Sequence, residues 1–345
     1  MARLTQKEIA KRAGVSQATV SLIVNASPLA LERIPAETRE RVERVIEDTG
    51  YVADPVARRM VKGENRILGV FTYEPAFPSG QADFYAPLLR GIEEAAEALG
   101  YDLLLLTAAA RSPDGRKHLL DKNNRLRLAD GCLLLGSQFD RDELAHLLKQ
   151  DYPFVSVGRR DDAGGLVRYV GADYVSATRK LVRQAAALSH RKFGYVYAKG
   201  PAEALADRWR GFIEGLPGDA EIVYVNEKKP INVAETFDAV MASGATVVLF
   251  GELLDAVRFE ELAVLRGVSV PDQLSIIVLG NDGGVERPGR KFLSFNVPRT
   301  DMARIATEML VGLLQNRDEK GQIMLTCASI AGDTLGPAPA GGETA

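Results

Sequence analysis

Gln17, Ala18 and Leu22 stand at a spacing that puts one amide and two small apolar groups on the outer face of a short helix. A glutamine amide can bridge adenine N6 and N7 in the major groove, and alanine or leucine can touch a thymine methyl. Around them, Thr5, Ser16, Thr19, Ser21 and Asn25 are short hydrogen-bonding side chains suited to phosphate oxygens, which fix register without reading sequence. Other chemistries lack residues at the right spacing. There is no G-x-G-x-x-G after an apolar run and no P-loop, and His118, His146 and His190 have neither triad nor metal-ligand spacing. The expectation is therefore no catalytic residue, no metal and no cofactor, with all three histidines solvated at the surface.

The elements that must carry the reading face are legible locally. Thr5-Gln6-Lys7-Glu8 has the pattern of a capping box, so a helix starts there. Ala13 ends its apolar pattern, and Gly14 can take the left-handed conformation of a tight turn. Val15 plugs the corner, and Ser16 is a strong N-cap for a second helix running to about Val24, with Val20, Ile23 and Val24 facing inward. Short helix, glycine-led turn and serine-capped helix make a helix-turn-helix. A third helix from Pro35 to Thr49 completes a small core through Val42, Val45 and Ile46. Beyond Tyr51, Asp54-Pro55-Val56-Ala57-Arg58-Arg59-Met60 reads as a capped basic linker helix.

Charge distribution agrees with this reading although the total does not suggest it. The 345 residues carry a formal charge of -3. Through Lys62 there are 11 Lys/Arg against 8 Asp/Glu, and beyond it 32 against 38, out of 43 and 46 in the chain. A basic head on an acidic body confines phosphate attraction to one end of the chain. No apolar run reaches 18 residues and the first segment is polar, so neither export nor membrane insertion is expected, and the location is cytoplasmic. Cys132 and Cys327 lie in apolar stretches and read as buried thiols.

After residue 62 the pattern changes to short apolar runs alternating with amphipathic helices. Runs at Ile67 to Thr72, Asp102 to Thr107, Gly131 to Gly136, Phe154 to Gly158, Phe193 to Ala198, Glu221 to Val225, Thr246 to Phe250 and Ser275 to Gly280 predict parallel strands buried on both faces. Eight or nine such strands exceed one sheet, which predicts two doubly wound α/β lobes. The charged, glycine-rich segment Arg159 to Gly165 and the turn-rich segment Gly283 to Lys291 are the expected crossovers. The domain plan is residues 1–52 for the DNA-binding unit, 53–64 for a hinge helix and 65–335 for the body. Lobe one is expected over about 65–160 and 292–320, lobe two over about 161–290 and 321–335, and a disordered tail over 336–345.

The run LTQKEIAKRAGVSQATVSLIVN, with TRERVERVIEDTGY and the segment Ala57 to Met60, closely resembles the LacI/GalR family of bacterial transcription regulators. The resemblance continues through Phe84-Tyr85 with LLRGIEEAAEALGYDLLL, Val170 to Asp173, Arg208 with Arg210-Gly211-Phe212, and Val270-Pro271. It implies a repressor that binds a palindromic operator in double-stranded DNA as a homodimer, with hinge helices that wedge an apolar side chain into the minor groove. Met60 occupies the wedge position and Ala57 lies one turn earlier. It also implies a body like the periplasmic sugar-binding proteins, holding a small-molecule effector, a sugar or related metabolite, between lobes whose arrangement controls DNA affinity.

By the same resemblance the effector residues are Phe84, Tyr85, Asp173, Arg208, Glu252 and Asp282. This chain departs from the family at one reading position and at two places in the effector site. Leu22 replaces a usual arginine, Gly251-Glu252 stands where Asn-Asp is common, and Gly280-Asn281 replaces a frequent acid, with Asp282 shifted along. The alternative from another class is a solute-binding sensor without regulated DNA binding, which the body alone would fit and the attached headpiece opposes.

Overall fold

The computed structural model describes residues 4–24, 32–51, 65–74, 82–107, 110–111, 117–120, 125–136, 139–161, 163–196, 200, 202–226, 230–280, 290–317 and 321–339. The chain divides into two compact units, Met1–Arg66 and Ile67–Ala345.

The first unit is helical. Its helices are α1 (Gln6–Ala13), α2 (Gln17–Val24) and α3 (Ala36–Thr49). Ile9, Ala10, Ala13, Val20 and Val42 form its buried centre, and Val15, Ile23, Val24, Val45, Ile46 and Tyr51 close around it. Gly14 ends α1 at φ 67°, a left-handed conformation, and the following Val15 N–H returns to the Ala10 carbonyl at 3.0 Å. That single residue turns the chain sharply enough for α2 to start three residues later, at Gln17. Arg41 ties α3 to the same turn, its Nε donating to the Ala13 carbonyl at 3.0 Å.

The second unit contains two parallel sheets. The first has the order β13-β7-β6-β5-β1-β2, built from β1 (Ile67–Thr72), β2 (Asp102–Leu105), β5 (Gly131–Leu135), β6 (Phe154–Val157), β7 (Tyr169–Ala172) and β13 (Gln322–Leu325). A small hairpin, β3 (Ala110–Arg111) with β4 (Lys117–His118), lies between β2 and β5 in the chain. The second sheet has the order β11-β10-β8-β9, from β8 (Lys192–Val196), β9 (Glu221–Asn226), β10 (Val247–Phe250) and β11 (Ser275–Val278). Strands β1, β5, β6, β10 and β11 are buried along nearly their whole length because helices cover both faces. Edge strand β9 is largely exposed or half-buried instead.

Helices α4 (Ala82–Leu99) and α10 (Arg299–Leu314) pack together in lobe one, closely enough that a Cβ on Gly91 would fall 2.1 Å from the Thr300 carbonyl oxygen. In lobe two, α6 (Tyr174–Ala187) packs on α7 (Glu203–Gly215), again over a glycine, Gly211, whose Cβ would meet the Val175 carbonyl oxygen at 2.4 Å. Phe212 is fully buried there against Phe193 and Tyr195. Burial of one such ring is worth roughly 1.5–3 kcal/mol. Helices α5 (Arg141–Lys149), α8 (Val233–Ser243) and α9 (Leu253–Leu265) complete the layers. A short antiparallel pair, β12 (Ser294–Asn296) with β14 (Ala328–Ile330), joins the lobes.

Three expectations need correction. The chain does not leave lobe one within Arg159 to Gly165, because β7 still pairs with β6 and β13; the passage to lobe two follows Ala172. Residues 321–325 likewise belong to lobe one, since β13 extends the first sheet, whereas Leu293 still bridges to Ile277 of lobe two. The tail is held further than expected. The Gly336 N–H donates to Ser275 Oγ at 3.1 Å, and the Ala338 N–H to the Leu188 carbonyl at 2.8 Å. The expected crossover at Gly283 to Lys291 and the hinge at 53–64 fall almost entirely outside the described residues.

Candidate nucleic-acid interface and ligand cleft

On α2 the Ser16 side chain accepts from the Thr19 N–H at 3.1 Å, and the two hydroxyls bond each other at 2.9 Å. The cap therefore sets the helix start and also fixes both hydroxyls on one edge of it. Gln17 and Ala18 are exposed; Thr19, Ser21 and Leu22 are half-buried, and Leu22 takes no part in the apolar cluster that holds Val20, Ile23 and Val24. Helix α2 carries no charged residue, whereas Lys7, Lys11 and Arg12 on α1 are exposed and Arg41 of α3 reaches the turn between α1 and α2.

Thr5 takes part in the expected capping box with Glu8. Its N–H and its hydroxyl both donate to Glu8 Oε2, at 2.8 and 3.0 Å. These bonds hold the Glu8 carboxyl below the ordinary range. With both donors spent on a carboxylate, Thr5 acts as the helix cap, and a phosphate contact there requires displacing Glu8. Asn25, Ala57 and Met60 lie outside the described residues.

The expected effector residues come from both lobes of the body. Phe84, on α4, stacks edge-on to Tyr85 with ring centroids 4.9 Å apart, but the two rings serve different ends. Tyr85 is buried in the core; its hydroxyl donates to Glu74 Oε2 at 2.8 Å and lies 3.2 Å from Thr72 Oγ1. Phe84 receives the Arg299 guanidinium 4.9 Å from its ring centroid. Asp173 caps α6 by accepting the Ser176 N–H at 3.0 Å. Arg208, 6% exposed, donates to the carbonyls of Leu279 and Ala204 at 2.8 and 3.1 Å, and its head group lies 3.8 Å over the Tyr174 ring. Glu252 is exposed at the start of α9. Asp282 lies outside the described residues.

Arg299, Tyr174 and Cys327 join this group without any sequence-level signal. Burial lowers the Arg299 pKa and Arg208 adds repulsion, against attraction from Tyr174, Glu252 and Cys327. The Cys327 thiol is pushed up to about 11 by burial and by Asp173, with Arg208 and Arg299 opposing. The ring contacts bring Arg208 to Tyr174 and Arg299 to Phe84, and Asp173, Glu252 and Cys327 lie near enough to these arginines to feel their charge, so the group gathers where the two lobes meet. Cys132 is raised further still by complete burial, so neither thiol is a ready nucleophile.

Beside this cleft the lobes are bridged by charge. Arg159, following β6, makes a forked contact with Asp207 of α7, at 2.7 and 2.9 Å. Its neighbour Arg160 donates to Glu203 of α7 and to the Gly136 carbonyl, both at 2.6 Å, and covers the Phe139 ring at 3.8 Å. At Arg159, where a backbone crossover was expected, the lobes are instead spanned by side chains.

The histidines also depart from expectation. His146 is exposed, but His190 is fully buried between Thr246 Oγ1 at 2.9 Å and the Gly336 carbonyl at 3.0 Å. His118 lies 3.4 Å from Glu143 and 3.9 Å from Asp140. Those carboxylates serve the fold: Glu143 accepts from the Tyr73 hydroxyl and the N–H groups of Leu119 and Leu120, each at 3.0 Å, and Asp140 caps α5. An apolar cavity of about 280 Å3, lined by Phe71, Leu105, Leu119, Leu126 and Leu128, shares no lining residue with the inter-lobe cleft.

Residues 5–54 match the bacterial regulatory proteins of the lacI family, and residues 182–335 match the periplasmic binding protein-like domain. The catabolite control protein A of Staphylococcus xylosus is 23% identical over 321 residues, covering 91% of this chain and 94% of that protein. Among solved structures, a lac repressor dimer bound to operator and the anti-inducer ONPF superposes with TM-score 0.76 at 17% identity, over 97% of this chain and all of that one. A complex of the transcriptional regulator CelR with cellobiose gives TM-score 0.61 at 21% identity, over 96% of this chain and all of that one. Among the described residues no helix is long and apolar enough to cross a membrane.

Proposed function

The chain belongs to the LacI family of bacterial regulatory proteins, and on that premise we propose that it is a sequence-specific DNA-binding transcriptional regulator, a repressor whose grip on a palindromic operator is set by a small molecule bound between the lobes of its body. It acts as a homodimer in the cytoplasm, and no catalytic step is assigned to it. The observation that carries the reading is the serine-capped helix α2, which keeps Gln17 and Ala18 exposed while Val20 anchors it in the core. A helix fixed in this way can enter a major groove with its first turn foremost.

Gln17, Ala18 and Leu22 read bases, and Ser16, Thr19 and Ser21 position phosphates. Asn25, Ala57 and Met60 belong to the same surface on the strength of the family resemblance. Leu22 cannot donate a hydrogen bond to guanine, so the operator should prefer a thymine methyl at the facing position. In the body, Phe84, Asp173, Arg208 and Glu252 hold the effector, and Tyr85 supports the wall from behind. A ligand that prefers one lobe arrangement shifts the equilibrium by its differential affinity, competing with or reinforcing the Arg159 and Arg160 bridges.

Selection of binding sites from random duplexes tests the reading. The expected result is a palindromic consensus whose binding weakens steeply with salt and survives excess competitor DNA. Enrichment of no common sequence would overturn it.

A further inference from the structure

The first sheet is covered unevenly. Strands β2 and β5 flank β1 on either side, so the chain joining them has to pass over the face of the sheet. Parallel strands are usually joined by a helix that seals that face, as α4 does between β1 and β2 and α5 between β5 and β6. Between β2 and β5 the described residues form the β3–β4 hairpin and a 3-10 helix at Arg125–Leu128, with no α-helix. This crossover supplies Leu119 and Leu126 to the apolar cluster around Phe71 and leaves beside them the cavity of about 280 Å3.

Its walls are six leucines and Phe71, with Thr107, His118 and Arg125. Leu104, Leu105 and Leu106 of the lining are only half-buried, and Leu128 is 50% exposed. A void in such walls forfeits dispersion contacts, and water does not restore them, since an ordered water needs two to four polar partners. A dry cavity of about 150 Å3 already admits benzene, so this one accommodates a ring or branched chain of about six to eight carbons.

One charge narrows the choice of apolar molecule. Among the described lining residues there is no Asp, Glu or Lys. The His118 Nδ1 already faces Glu143 and Asp140, at 3.4 and 3.9 Å, which disfavours an anion at that end. Arg125 is exposed and, among the described residues, makes no hydrogen bond or ion pair. Apolar walls with a single orienting cation are the composition of a small-molecule site, and a carboxylate matches a guanidinium with two parallel bonds.

We propose that lobe one carries a ligand site of its own at this cavity, taking a small monocarboxylic acid whose hydrocarbon body lies among the leucines and whose carboxylate meets Arg125. The site shares no lining residue with the inter-lobe cleft, and it stands whether or not the chain regulates transcription.

Melting of the full chain is followed at matched ionic strength with acetate, benzoate, 4-methylpentanoate or benzamide. Acetate has the charge without the body, and benzamide the body without the charge. The expected result is a rise in melting temperature with benzoate or 4-methylpentanoate that exceeds both. Arg125→Gln should weaken binding of that acid by about three- to tenfold, the scale of one hydrogen-bonded ion pair. Leu128→Trp, which brings a ring into the cavity from its rim, should remove the response altogether. Both positions are exposed, so neither change should cost the fold. No acid exceeding acetate would overturn the proposal, as would benzamide equalling benzoate. A response that survives in Leu128→Trp would place the acid elsewhere and overturn it too. So would a response that disappears as protein concentration rises, since a second copy of the chain would then be the occupant.

Discussion

The DNA-reading unit and the ligand cleft are built on opposite principles. In the first unit the features that start α2 lie within a few residues of it: Gly14 turns the chain and Ser16 caps the helix, while Val20 buries its inner face against α1 and α3. The cleft gathers Phe84, Asp173, Arg208, Glu252, Arg299 and Cys327 from separate strand and helix ends, and the fold alone makes them neighbours. Local construction lets a small helical unit vary its reading face one residue at a time. Distributed construction lets the cleft respond to lobe arrangement, because its walls belong to different sheets.

The largest effect that would break this comparison is at the cross-lobe bridge. Asp207 is almost fully buried and takes both branches of the Arg159 fork. Asp207→Ala should destabilise the body by about 3–5 kcal/mol, because it strands a partly buried guanidinium, whereas Arg159→Ala with Asp207→Ala together should cost less than the sum of the two alone. Calorimetric unfolding of the four variants measures this. A loss below about 1 kcal/mol would mean that the lobes are held by backbone and apolar packing, and that the cleft is less dependent on distant side chains than argued.

Next in size is the reading face. Gln17→Ala should leave folding unchanged, since Gln17 is exposed, and should lower discrimination at one base pair by roughly 1–3 kcal/mol. Binding measured across single-base operator variants checks it; a uniform loss at every position would reassign Gln17 to the phosphates. Ser16→Ala comes third, at about 1 kcal/mol of stability, because it leaves the first turn of α2 without its cap. Its signature is lower melting of the helical unit with little change in base preference.

The same contrast explains what the sequence made legible. Thr5, Gly14 and Ser16 announce themselves because caps and left-handed turns depend on residues three or four apart. The buried strands were legible as unbroken apolar runs, and β1 ends where the run does, at Thr72. Strand β13, Gln322–Leu325, was not, since an edge strand need not be apolar on both faces and its Gln322 side chain instead bonds the Gly165 carbonyl at 2.8 Å. The family resemblance carries Phe84 and Tyr85 together, but neighbouring residues on a helix point about 100° apart, and Phe84 meets Arg299 while the Tyr85 hydroxyl bonds Glu74. Arg299 gave no signal at all. Nothing in VPRTDM shows that its helix begins beside Arg208.

The smallest effect tests a contact that sequence reading placed at the surface. His190 sits between Thr246 and the Gly336 carbonyl, and a carbonyl only accepts, so Nε2 carries the proton and Nδ1 accepts from the Thr246 hydroxyl. Burial lowers its pKa below the ordinary value, with the Gly336 bond opposing. The folded protein therefore keeps the ring neutral at a pH where the unfolded chain takes up a proton. Stability is at its full value above the ordinary histidine pKa and falls as pH drops through it toward the depressed folded value, by under about 1 kcal/mol between pH 7 and 6. His190→Gln should lose some stability at every pH and abolish this slope. Denaturant unfolding at pH 7.5, 6.5 and 5.5 distinguishes the cases, and a slope retained by the variant would move the titration to another group. Because Gly336 is tied to lobe two through His190 and Ser275, the same titration should raise hydrogen exchange in residues 334–338 before the rest of the second sheet, whereas the first unit, which contains no histidine, should show no response over that range.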